Sequence, residues 1–63
     1  MLVLKRREGE AIHAGTEDQI NAGHGIVFRI LGNERGDIRI GIEAPKDVVL
    51  VREELIGRKE VGR

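Results

Sequence analysis

Short apolar runs separated by glycine-containing turns recur along this chain, a pattern that predicts strands. Leu2-Val3-Leu4-Lys5-Arg6-Arg7 forms the first, and Glu8-Gly9 reads as a tight turn. Glu10–Ala14 follows as a shorter strand, and Ile26–Leu31, rich in β-branched residues, as a third. Gly32-Asn33-Glu34-Arg35-Gly36-Asp37 then reads as a polar hairpin loop bounded by glycine. In Ile38-Arg39-Ile40-Gly41-Ile42-Glu43, three isoleucines alternate with other residues, the period-two mark of a half-buried strand. Ala44-Pro45-Lys46-Asp47 is a turn, because proline fixes its own φ and biases Ala44 toward extended geometry. Val48-Val49-Leu50-Val51 is a continuous apolar strand, either buried on both faces or covered by a partner.

Two segments break this rhythm. Arg52-Glu53-Glu54-Leu55-Ile56-Gly57-Arg58-Lys59-Glu60 places acids early and bases late, as a helix macrodipole prefers. It predicts a short C-terminal helix over about 53–60, weakened by an interior Gly57 at about 1 kcal/mol relative to alanine. Within 15–25, Thr16 followed three residues later by Gln19 fits a capping box, with Glu17 and Asp18 in the first turn and Gly23 as a stop. One helical turn and a flexible polar loop both suit this stretch. The expected fold is thus mainly β, five short antiparallel strands and a C-terminal helix, in one domain spanning 1–63.

Composition changes the picture in one respect. Eight Ile, six Val, five Leu and a single Phe28 make a thin core for 63 residues. A chain this short buries only about 60% of its unfolded surface, and ordering it costs on the order of 95 kcal/mol at roughly 1.5 kcal/mol per residue. With no cysteine, disulfides and thiolate zinc sites are excluded. Self-association remains as the means of completing the core, and it would also remove exposed strand edges. Eleven basic residues balance eleven acidic ones, which argues against coating nucleic acid by bulk charge but leaves room for a local basic patch. No apolar run reaches the length of a membrane span, and apolar residues precede the basic ones at the N-terminus, the reverse of a signal peptide. A soluble cytoplasmic protein is expected, with no membrane partner.

Little here suits catalysis. Serine and cysteine nucleophiles are absent, Thr16 has no evident base, and His13 and His24 match no metal-ligand spacing. Gly23-His24-Gly25 lacks the rest of a dinucleotide fingerprint. No enzyme, metal or cofactor is expected. Binding is better supported. Lys5-Arg6-Arg7 is a basic cluster in which strand geometry would set Lys5 and Arg7 on one face and Arg6 on the other. Arg52, where the last strand meets the helix, suits bidentate recognition of a guanine edge or phosphate, or else pairs with Glu53 or Glu54. Without Tyr or Trp, RNA would have to be held by backbone groups, arginine and aliphatic contacts rather than by an aromatic platform.

Three ordered stretches, Met1–Glu10, Ile38–Lys46 and Val51–Leu55, resemble the carbon storage regulator (CsrA/RsmA) family. The likeness covers 1 to about 15 and about 26 to 57. It implies an interlocked, strand-sharing homodimer with outward C-terminal helices that binds GGA-containing single-stranded or hairpin loops in messenger RNA. Such loops often overlie the ribosome-binding site, so that translation is repressed or mRNA stability altered. Small decoy RNAs with GGA loops and a protein antagonist are further implied partners. Carried over by position, Leu4, Lys5, Arg6 and Arg7 of one chain would meet Ala44, Pro45, Lys46, Val48, Leu50 and Arg52 of the other. This chain departs from the pattern by about eight extra residues around 16–23, and by Lys5 where threonine is more usual. A swapped-strand DNA-binding dimer and a protein-interaction module that has lost RNA binding are the competing readings.

Overall fold

The alternating isoleucines and the β-branched run before them fold back on each other as a long hairpin. In the computed structural model, which describes residues 1–57, β1 (Ala11–Ala14), β2 (Ile26–Glu34) and β3 (Asp37–Glu43) form an antiparallel sheet in that order. The β2–β3 turn is tighter than the polar composition of 32–37 predicts. Only Arg35 and Gly36 lie outside the strands, at φ of 52° and 84°. Two consecutive left-handed residues are what a two-residue turn needs to match strand twist. Pairing runs from Val27↔Glu43 to Ile30↔Ile40 and resumes at Gly32↔Arg39, so Leu31 is an extra residue bulged out of β2.

Register decides the faces. Ile12, Phe28 and Ile42 stand in one row across the three strands, and Ile30 opposite Ile40 in the next. The other face carries the rows His13–Val27–Glu43 and Ala11–Arg29–Gly41. The first set is the apolar face, yet no hydrophobic residue in it is fully buried. Ile38, Ile40 and Ile42 remain 60, 50 and 41% exposed. The chain exposes 6057 Å², against about 4,000 Å² for a folded monomer of its 7.0 kDa mass.

Between β1 and β2 the open choice at 15–25 resolves as a helix, α1 (Glu17–Asn21). The Thr16 hydroxyl accepts from the Gln19 backbone N–H at 3.1 Å, and the Gln19 amide oxygen accepts from the Thr16 N–H at 2.9 Å. Its end is equally well defined: Gly23 at φ 76° donates to the Ile20 carbonyl while His24 donates to that of Gln19. Both orphan ends are thus satisfied locally, which lets so short a helix persist.

Two expectations are corrected. Among the described residues one chain forms three laddered strands, not five: Leu2–Arg7 and Val48–Val51 join no ladder there. A strand is defined by its neighbour, and no backbone ladder joins these segments to the edges of β1 and β3 among the described residues, although Arg6 Nη1 donates to the Ala11 carbonyl of β1 at 3.5 Å. Within the chain Val48 and Leu50 are half-buried while Val49 and Val51 are exposed, so of the two expected alternatives burial on both faces is not met and cover by a partner stays open. The C-terminal helix reduces to a single 3-10 turn, Glu53–Leu55, followed by Gly57 at φ 88°. A left-handed glycine ends the turn where an interior helical position was expected. The rest of the expected helix, 58–60, lies outside the described residues.

Candidate nucleic-acid interface

The basic cluster leaves the sheet through a turn whose geometry is heavily tied. Glu8-Gly9 is the expected tight turn: the Glu10 N–H donates to the Arg7 carbonyl at 2.9 Å, with Gly9 at φ 86°. Glu10 also reaches back, its carboxylate accepting from the Arg7 N–H at 2.8 Å. Gly9 donates to the Ile30 carbonyl at 2.7 Å, and Ile30 returns a bond to Glu10, stitching the turn to β2. Arg29 closes the set with its Nη1 on the Gly9 carbonyl at 2.8 Å. Neither Glu10 nor Arg29 stands out as functional in the sequence. The Arg6–Glu10 spacing of four was the legible signal for the first; Arg29 is visible only once β2 passes behind the turn.

The three cations are therefore not equivalent. Arg6 folds back on the turn, 3.4 Å from the Glu10 carboxylate, with Nε on the Lys5 carbonyl at 3.0 Å. Both partners keep about two-fifths of their surface exposed, so the pair contributes at most about 1 kcal/mol and yields readily to a stronger anion. The side chains of Lys5 and Arg7 make no hydrogen bond or ion pair among the described residues. Leu4, beside them, is 54% exposed.

The second group starts at a real turn, with Val48 donating to the Pro45 carbonyl at 3.0 Å. Ala44 is half-buried, Pro45 and Lys46 are exposed, and Val48 and Leu50 turn inward. Arg52 is exposed with extended backbone (φ −65°, ψ 146°) at the start of the 3-10 turn. Among the described residues it pairs with neither Glu53 nor Glu54. No hydrogen bond or ion pair among the described residues joins Leu4–Arg7 to Ala44–Arg52. Among the described residues, too, no three His, Asp or Glu side chains cluster to hold a metal ion.

This combination of tied basic turn, Ala-Pro-Lys turn and exposed arginine runs in the order of a known family. The model of the CsrA global regulator protein family matches residues 1–61. The chain belongs to that family. Curated CsrA relatives agree: the translational regulator CsrA of Hydrogenovibrio crunogenus is 43% identical over 56 residues, covering 89% of this chain and 69% of the relative. Those of Thermosipho africanus and Thermotoga maritima are 46% and 47% identical over 55 residues, each covering 87% of this chain. The aligned residues span 64% and 57% of those two CsrA proteins, so this chain corresponds to about three-fifths of their length. No solved structure matches it. Membership in the CsrA family places the chain among regulators, not enzymes.

Proposed function

We propose that this protein is an RNA-binding translational regulator acting as a strand-sharing homodimer, with GGA-containing single-stranded or hairpin loops of mRNA as its ligand. One observation carries the reading. The three-stranded sheet has two open edges, and the same chain carries two unpaired apolar segments, Leu2–Arg7 and Val48–Val51. Two copies exchanging those segments complete both edges and cover the exposed isoleucines at once. The cations sit on the exchanged segments. Leu4, Lys5, Arg6 and Arg7 of one copy then meet Ala44, Pro45, Lys46, Val48, Leu50 and Arg52 of the other, once at each end of the assembly. Arg52 reads guanine or grips phosphate, Lys5 and Arg7 hold the backbone, and the tied turn at Gly9 fixes their direction.

Two such sites make binding bivalent, so an RNA with two loops gains effective concentration, as do decoy RNAs with many. A loop over a ribosome-binding site would be occluded in the cytoplasm, and a protein antagonist would compete for the same edges. Among the described residues no helix is long and apolar enough to cross a membrane.

The test is fluorescence anisotropy with a hairpin presenting GGA and a control in which the triplet is CCA. GGA binding should be lost in the control, and Arg52→Ala should cost about 1–3 kcal/mol, the worth of one bidentate contact. Equal affinity for both hairpins, or full affinity of Arg52→Ala, removes the proposal. Tighter binding to duplex DNA would favour the swapped-strand DNA reading instead.

A further inference from the structure

Among the described residues, Arg6 is the one cation of the proposed RNA site whose side chain is engaged by its own chain. Each nitrogen of its guanidinium has an acceptor within reach. Nη2 lies 3.4 Å from Glu10 Oε1, Nε donates to the Lys5 carbonyl at 3.0 Å, and Nη1 donates to the Ala11 carbonyl at 3.5 Å. The Glu10 oxygen that meets Arg6 also accepts from the Arg7 N–H at 2.8 Å. Backbone bonds hold that carboxylate in place from behind: the Glu10 N–H donates to the Arg7 carbonyl, and the Glu10 carbonyl accepts from Ile30 of β2. The contacts of Arg6 all close within five residues along the chain, so no second copy is needed to form them.

We propose that Glu10 is a positioning residue that competes with RNA phosphate for Arg6, holding the guanidinium on the turn in the free protein and lowering RNA affinity by the cost of its release. This rests on the RNA-binding reading above. Both anions ask for the same nitrogens. A phosphate grips a guanidinium best through two parallel N–H bonds, and Nε and Nη2, the edge that offers such a fork, are already on the Lys5 carbonyl and Glu10. The hold is weak enough to break, because both side chains are partly solvated and their attraction is screened. It is also one-sided. Glu10 keeps its bond to the Arg7 N–H when Arg6 leaves, so the turn stays formed while the guanidinium swings out. Glutamine separates the two duties: its amide oxygen still accepts from the Arg7 N–H, while the charge that attracts Arg6 is gone.

The experiment measures the affinity of the full chain for a GGA hairpin in the wild type, Glu10→Gln, Glu8→Gln, Arg6→Ala and the double variant Glu10→Gln with Arg6→Ala. Glu8→Gln controls for net charge, since Glu8 is exposed in the same turn and makes no hydrogen bond or ion pair among the described residues. Glu10→Gln should tighten binding about threefold, within the roughly fivefold that an exposed pair allows, and Glu8→Gln should tighten it less. In the Arg6→Ala background the Glu10 substitution should gain no more than Glu8→Gln does, because its effect runs through Arg6. In the wild type, the Arg6 Nε–H resonance should move when the hairpin binds. Weaker binding by a folded Glu10→Gln, equal gains from the two glutamates, or a gain that survives Arg6→Ala overturns the proposal and leaves the RNA-binding reading standing. If Glu10→Gln fails to fold, the wild-type resonance decides, and one that stays in place on binding overturns the proposal. A wild-type protein that ignores the GGA triplet overturns both.

Discussion

Ile40 offers a direct measure of whether a second copy covers this sheet. It stands opposite Ile30 on β3 and is half exposed within the chain. Truncating Ile40→Ala removes three carbon groups, worth about 0.8 kcal/mol each when fully buried. With half the side chain already in water and no closed cavity to leave behind, the single chain loses about 1 kcal/mol. If a second copy covers the face, the residue is in a core, and the loss rises to about 2–5 kcal/mol per chain, doubled in a two-chain unfolding reaction. Urea unfolding followed by far-ultraviolet circular dichroism separates the two outcomes. Unfolding coupled to dissociation also depends on concentration, a tenfold dilution lowering apparent stability by about 1.4 kcal/mol. A loss near 1 kcal/mol with a midpoint independent of concentration would refute the strand-sharing dimer.

Two further outcomes test local features. Gly36→Ala should destabilise by about 1–2 kcal/mol, because φ is 84° there and no atom lies within 4 Å of the new Cβ, so the cost is purely conformational; Gly36→Asn should recover part of it in the same unfolding assay, and a neutral Gly36→Ala would show that the turn is not of this type. Thr16→Ala should cost about 1 kcal/mol of helix stability, read as faster hydrogen exchange at the Gln19 amide, while exchange at Phe28 stays unchanged; unaltered protection at Gln19 would contradict the capping box.

Much of the local structure is readable from residue order, since its causes lie within a few residues. The Thr16–Gln19 box, the Gly23 stop, the Glu8-Gly9 turn and the isoleucine alternation are all short-range patterns, and each appears where its pattern stands. The proposed site rests on the same kind of signal: Lys5-Arg6-Arg7 and Arg52 stand out in the sequence by charge and position. What the pattern could not assign was pairing. Leu2–Arg7 and Val48–Val51 have every propensity of a strand, but a ladder needs a neighbour, and none pairs with them among the described residues. The sorting of the cations likewise came from contacts: Glu10 and the carbonyls beside it occupy Arg6, while Arg52 is left without a partner among the described residues.

Residue order by itself determined the three strands that pair, their turns and the family, because propensity, spacing and turn chemistry are local. Tertiary structure alone decided the register that gathers Ile12, Phe28, Ile30, Ile40 and Ile42 on one face, and the bulge at Leu31. These depend on which residue lies opposite which across a hairpin, and a shift of one position in that pairing would turn every side chain to the other face.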